Sequence, residues 1–167
     1  RDGECVAGAE KRCGGPATGQ HPRAAQAPRF GPVRVRGVEL KNRGVVSPMA
    51  QYRAVDGMPT DWHLVRYAER AKGGAGLVFT EMTCVTPNGR ISPGCAGMYK
   101  RAHKTAWKRI VDYVHQKTPA KVGIQLGHSG PKGSTQVGWE DADRPLLRAT
   151  WPLLAAAGEG VSGPNPC

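Results

Sequence analysis

Gly73-Gly74-Ala75-Gly76-Leu77-Val78-Phe79-Thr80-Glu81 is the stretch that decides the fold. Its opening glycines stop a helix, because glycine enters the left-handed conformation at little cost. From Gly76 the run stays apolar until Thr80-Glu81, the pattern of a strand covered on both faces. Upstream, Pro59-Thr60-Asp61 starts the helix that the glycines end: Thr60 or Asp61 accepts hydrogen bonds from its first free N–H groups. Leu64, Val65, Ala68 and Ala71 fall on one face at helical spacing. Before that helix, Val45-Val46 is a short strand, stopped by Pro48, which cannot donate to a ladder.

Downstream, a long loop from about Met82 to His103 carries two turn signals, Pro87-Asn88-Gly89 and Ser92-Pro93-Gly94. In the second helix Trp107, Ile110, Val111 and Val114 sit at i, i+3, i+4 and i+7, with Lys104, Lys108 and Asp112 on other faces. After Thr118-Pro119 a third strand reads Lys121-Val122-Gly123-Ile124-Gln125-Leu126, and beyond Gly127 the chain returns to loop. Residues 1–29, rich in Gly, Ala, Pro and Arg, read as a flexible leader or interdomain linker.

Strand, helix, strand, helix, strand implies an α/β chain of parallel βα units, either a doubly wound sheet or the start of a (β/α)8 barrel. No Gly-x-Gly-x-x-Gly follows the first strand, as a dinucleotide fold would have. Polar residues gather at the strands' C-terminal ends: Ser47 and Gln51, Thr80 and Glu81, Gln125 and His128. In a barrel these ends share the face where active sites are built. The expectation is an incomplete TIM (β/α)8 barrel of about three βα units.

The 167 residues are 39% hydrophobic and 22% charged, a composition with enough apolar surface for a core. No run approaches the roughly 18 apolar residues of a membrane span, and no signal-peptide pattern opens the chain, so a cytoplasmic protein is expected. The net charge is +11, with eight basic residues against one acid in both Lys11–Arg43 and Lys100–Lys132. Such runs are solvated surface or attract a polyanion. Trp62, Trp107 and most tyrosines fall at helical core positions. A nucleic-acid partner therefore lacks its stacking platform and rests on charge alone.

The five cysteines are odd in number and no two are two residues apart, unlike a zinc or thioredoxin motif. Cys84 and Cys95 are free thiols of a reducing cytosol, or else ligands or a bridge. The five histidines show no metal-ligand spacing, and no metal site is expected. His63 reads as a packed or surface residue. His128 follows the third strand at the expected active face and is a ligand-contact candidate. Gln125 interrupts an apolar strand. A buried amide needs hydrogen-bond partners, which either the backbone or a flat heteroaromatic ligand supplies. The segment Gly127–Ser134 lacks the Gly-Lys-Ser/Thr of a phosphate loop, although its amides and Lys132 suit an anion.

Several ordered motifs carry a resemblance: Leu40-Lys41-Asn42-Arg43, Ser47-Pro48-Met49, Asp61-Trp62-His63 and the Gly73–Glu81 stretch, then Gly89-Arg90-Ile91, Trp107-Lys108-Arg109-Ile110-Val111 with His115, and Ile124-Gln125-Leu126-Gly127-His128-Ser129-Gly130. From about Phe30 to Leu154 the chain resembles the N-terminal part of the old yellow enzyme family, the FMN-dependent NAD(P)H:flavin oxidoreductases. The resemblance implies a TIM barrel holding FMN at its strand ends, with hydride passing from NADH or NADPH through the flavin to an activated alkene. It implies that Ser47, Pro48, Met49 and Ala50 line the flavin and that Gln125 hydrogen-bonds the isoalloxazine edge. Met82 stands where the family often has alanine, so its contact with the flavin would be through the backbone. Tyr52 matches a substrate-facing tyrosine, and His128, from its position after the third strand, is taken as substrate-binding beside it. Ala50 replaces the flavin-tuning cysteine of some members, and Pro131 the usual arginine after His-x-Gly.

Gly133-Ser134-Thr135-Gln136, Gly138-Trp139-Glu140 and Trp151-Pro152-Leu153 resemble, more narrowly, the reductase domain of bifunctional salicylyl-CoA-type hydroxylase/oxidoreductases. That resemblance implies an acyl-CoA-derived substrate and an upstream flavin monooxygenase domain joined through residues 1–29. A TIM barrel takes about 250 residues. The expectation is therefore an N-terminal fragment over 30–154, inactive by itself, with its catalytic residues later in the chain and a tail at 155–167 that no longer follows the family. The alternatives are a basic nucleic-acid-binding module and a truncated product without a catalytic role.

Overall fold

The computed structural model describes residues 28–141 and 144–155. The expected leader over 1–29 and tail over 155–167 lie, except for their inner ends, outside the described residues. Chain order is β1 (Val33–Val35), β2 (Val38–Leu40), β3 (Val45–Val46), α1 (Asp61–Lys72), β4 (Leu77–Cys84), α2 (Arg101–Lys117), β5 (Lys121–Gly127) and a single turn, α3 (Gly138–Asp141). β3, β4 and β5 form a parallel sheet in that order, with α1 and α2 as its crossovers. Among the described residues the sheet is open, with β3 and β5 at its edges.

β1 and β2 form an antiparallel hairpin that the sequence reading missed, with Arg36-Gly37 at the turn and Arg36 at φ 50°. Val35, Val38 and Leu40 of this hairpin share a cleft with Leu77, Lys121 and Val122, so it covers the sheet at the N-terminal ends of β4 and β5.

Helix α1 starts at N-cap Thr60, whose N–H donates to His63 Nδ1 at 2.9 Å. It ends at Gly73, and Gly74 takes φ 109° to turn the chain into β4. The core joins Tyr67 and Ala71 of α1, Val78 of β4, Ala96, and Trp107, Ile110 and Val114 of α2. The Trp107 indole N–H donates to the Gly97 carbonyl at 3.0 Å, which satisfies the one polar atom of a buried ring. Arg109 pairs with Asp61 at 2.8 Å, joining the two helices.

Three expectations need correction. Trp62 is 52% exposed and Val65 is exposed as well, because the buried face of α1 runs through His63, Tyr67, Ala68 and Ala71. The expected loop is shorter at both ends, since β4 continues to Cys84 and α2 opens at Arg101. β5 is largely exposed, and Gln125 with it, because only one side of that strand has a neighbour among the described residues.

β4 carries a bulge. Phe79 pairs with Gly123 and Met82 with Gln125, so Thr80 and Glu81 together face Ile124. A bulge takes backbone groups out of the ladder, and here side chains answer them. The Glu81 N–H donates to the Tyr67 hydroxyl at 2.9 Å, and its carbonyl accepts from Thr80 Oγ1 (3.0 Å) and Thr83 Oγ1 (2.9 Å). Thr80 Oγ1 in turn accepts the Gln125 N–H at 3.3 Å.

Candidate functional site

The bulge turns the Glu81 carboxylate into the space between α1 and the segment leaving β3. Glu81 Oε2 accepts the Gln51 backbone N–H at 2.8 Å, and Oε1 lies 2.8 Å from His63 Nε2. His63 Nδ1 already accepts from Thr60, which leaves Nε2 as the ring nitrogen that faces the carboxylate. Neither His63 Nε2 nor Glu81 Oε1 has another polar partner among the described residues, and both side chains are fully buried. Tyr67 completes the group. Burial, and then the neighbouring Glu81 charge, push its phenol well above the ordinary tyrosine value.

This buried group fixes the segment on which four of the predicted residues stand. The Gln51 side chain folds back, its Nε2 donating to the Met49 and Ala50 carbonyls at 2.9 and 3.0 Å, while its Oε1 accepts from the Trp62 indole at 3.3 Å. Ser47, Met49 and Ala50 are exposed and Pro48 half-buried, which leaves a presented strip at the C-terminal end of β3. Arg66 reaches the Met49 sulfur at 3.8 Å. Tyr52 has φ 53° and its backbone lies on Gly94: a Cβ there would meet the Tyr52 carbonyl oxygen at 2.2 Å.

Met82 and Gln125 are direct partners across β4 and β5. The Met82 side chain lies along Gly127, where a Cβ would come within 2.6 Å of its Cγ. The bulk expected to crowd this place is thus laid flat in a gap that a glycine leaves. His128 is exposed. Its ring sits on Gly89, and its Nδ1 accepts the Gly130 N–H at 3.0 Å. The strand ends therefore bring together Ser47 to Gln51, Met82 and Gln125, while Tyr52 and His128 are engaged with the loop that follows β4.

Sequence reasoning read His63 only as a packed or surface residue and missed its pairing with Glu81. Its burial, though not its partner, was signalled by the spacing of His63 and Tyr67, i and i+4 on the face that carries Ala71. It also missed Arg53, whose guanidinium stacks over both Trp62 (5.3 Å) and Trp139 (4.4 Å). A surface cleft lined by Asp61, Trp62, Val65, Arg66, Glu69 and Arg70 runs along the outside of α1, and its Trp62 and Arg66 reach Gln51 and Met49 of the strip after β3.

A model of the NADH:flavin oxidoreductase / NADH oxidase family matches residues 28–145. The chain belongs to this family. It is 39% identical over 142 residues to an NADH:flavin oxidoreductase of Gibberella zeae, covering 82% of this chain and 34% of that protein. To an NADPH dehydrogenase of Listeria monocytogenes it is 45% identical over 105 residues, 62% of this chain and 31% of that one. Among solved structures, the Old Yellow Enzyme from Pichia sp. AKU4542 matches at 33% identity with a TM-score of 0.62, over 66% of this chain and 28% of that one. The old yellow enzyme homologue of Zymomonas mobilis matches at 33% identity and a TM-score of 0.57, over 62% and 28%. The chain thus spans about a third of the length of the curated relatives it matches. The three parallel strands are accordingly a stretch of old yellow enzyme barrel. No helix among the described residues is long and apolar enough to cross a membrane.

Membership of the family implies FMN as cofactor. The donor set at the strand ends fits the flavin ring. The exposed Gln125 amide offers a donor and an acceptor side by side, Ser47 adds a hydroxyl, and Met82 leaves the surface between them flat. Gln125 is correspondingly not the buried amide that was expected. Its side chain lies exposed beside the position of its β4 partner.

Proposed function

We propose that residues 30–154 form the N-terminal part of an FMN-dependent NAD(P)H oxidoreductase that reduces an activated double bond. The observation that carries this reading is the pairing of Met82 with Gln125 beside the strip Ser47–Ala50, at one end of three parallel strands. FMN held there would supply two-electron redox chemistry between a nicotinamide and the alkene. Gln125 would bind the edge of the ring through its amide, and Ser47, Pro48, Met49 and Ala50 would line it from the segment that follows β3. Gln51 holds the Met49 and Ala50 carbonyls, and Glu81, fixed by His63, holds Gln51 in turn. Tyr52 and His128, held against the loop after β4, are assigned to the substrate side in this reading, with a small alkene or an acyl-CoA-derived one as substrate.

Leucine in place of Gln125 removes the amide and keeps the bulk. In the intact protein Gln125→Leu lowers FMN affinity roughly tenfold, since each net hydrogen bond contributes about 1 kcal/mol. Unchanged affinity, read from the quenching of flavin fluorescence on titration, overturns the assignment. The share of its relatives that the chain spans, and the open sheet, support a further reading. These 167 residues by themselves hold FMN weakly and turn over no substrate. Steady NADPH oxidation by this chain alone would contradict it.

A further inference from the structure

Cys84 and Cys95 take no part in the site just described, yet the fold sets them side by side. Cys84 closes β4, and the segment after the Ser92-Pro93-Gly94 turn runs next to it as a short parallel bridge, Cys84 opposite Gly97. The Cys84 N–H donates to the Ala96 carbonyl at 2.9 Å, and the Met98 N–H donates to the Cys84 carbonyl at 2.8 Å. Both thiols are free. Cys84 is fully buried and Cys95 is 3% exposed.

The two sulfurs are not equivalent. Cys95 Sγ accepts the Ser92 backbone N–H at 3.4 Å and has Ser92 Oγ at 3.9 Å, while no such donor reaches the Cys84 sulfur among the hydrogen bonds of the described residues. A neutral sulfur is a weak acceptor, so donors gathered on one sulfur in a buried place stabilise it chiefly as the thiolate. Its acidity follows: the neighbouring Cys84 thiol and the Ser92 donors draw Cys95 below the ordinary thiol value against the opposing effect of burial. The neighbouring Cys95 sulfur, and then burial, push Cys84 up.

We propose that Cys84 and Cys95 are a redox pair that a hydroperoxide converts into an intramolecular disulfide, Cys95 attacking and Cys84 resolving. The Cys95 thiolate attacks one peroxide oxygen. An S–O bond forms as the O–O bond breaks, and the leaving alkoxide takes up a proton. The product is Cys95 sulfenic acid and an alcohol, or water when the oxidant is hydrogen peroxide. Cys84 then gives up its proton and attacks the sulfenic sulfur. The S–S bond forms as the S–O bond breaks, and the hydroxide leaves as water with that proton. Two thiols are oxidised by two electrons, and the peroxide is reduced by two. The closed ring contains Gly94, on which the Tyr52 backbone rests, so oxidation staples the loop beneath Tyr52 to the end of β4.

The test treats the folded full chain with one equivalent of hydrogen peroxide and maps its peptides without reduction. The expected product is a Cys84–Cys95-linked peptide, lighter by two hydrogens and returned to two thiols by dithiothreitol. In C84S the reaction stops at Cys95 as a sulfenic acid trapped by dimedone. In C95S, Cys84 reacts at least tenfold more slowly. Absence of the linked peptide while circular dichroism shows the chain folded overturns the proposal. So does dimedone trapped on Cys84 in C95S at the undiminished rate. The unsubstituted chain supplies the decisive measurement, so a variant that fails to fold does not remove the test.

Discussion

At the scale of single residues, Glu81 carries more than its position in an apolar strand advertises. It is a buried carboxylate whose oxygens hold the Gln51 N–H and face His63 Nε2. Removing one partner of a buried polar pair strands the other, at about 3 kcal/mol or more. Glu81→Leu therefore lowers the denaturant midpoint by that order, and Glu81→Gln, which keeps an acceptor, by clearly less; urea titrations of the two variants check the difference. Gly94 is constrained by space rather than by φ. A Cβ would strike the Tyr52 backbone at 2.2 to 3.0 Å, and backbone cannot swing aside as a side chain does. Gly94→Ala then costs about 1–3 kcal/mol in overpacking and shifts the Tyr52 amide resonance in an NMR correlation spectrum. His103 sets a pH dependence. Its Nε2 faces the Asp56 carbonyl at 3.1 Å and its Nδ1 has no partner among the described residues, and burial lowers its affinity for a proton below the ordinary 6.5. Above that value folded and unfolded chains are both neutral there, and stability is complete. As pH falls below it the unfolded chain takes the proton first, so stability declines on the acid side. Thermal melts from pH 7.5 to 5 show the decline, and His103→Phe reduces its slope.

At the scale of elements, what was legible in the sequence was whatever repeated. α2 shows its buried face through Trp107, Ile110 and Val114, and that face is the core of the structure. Ile110→Ala opens a cavity there and costs about 3 kcal/mol, read from the shift of the chemical denaturation curve. The β1–β2 hairpin escaped because three-residue strands barely complete one alternation, and because Arg36 occupies a positive φ that an asparagine would have announced. Trp62 was misplaced because it neighbours the buried stripe of α1 without belonging to it. The gathering of polar residues at strand ends was legible, and Ser47 and Gln125 stand at the ends of β3 and β5. The His63–Glu81 pair was not legible, since it depends on a bulge that only the pairing of β4 with β5 reveals.

For the whole molecule, the open sheet governs behaviour. Val45 on β3 and Ile124 and Leu126 on β5 are exposed, Leu126 by 56%, on strands with a free edge. Free edges with apolar side chains pair with one another, and a net charge of +11 only weakens that tendency as long as salt is low. The chain alone self-associates increasingly with ionic strength, and Leu126→Lys reduces this; sedimentation velocity at 50 and 500 mM salt distinguishes the two. The bulge in β4 reaches furthest. Because Thr80 and Glu81 share one position opposite β5, the inward and outward phases of the strand are exchanged between Phe79 and Met82. β4 is therefore two rulers joined end to end. The lower one, with Phe79 against Gly123, measures how the sheet packs, and the upper one measures where Met82 and Cys84 arrive. Divergence below the joint changes the fit of the hairpin and helices without moving a group above it, so a lineage built on this strand can vary its chemistry and its packing separately.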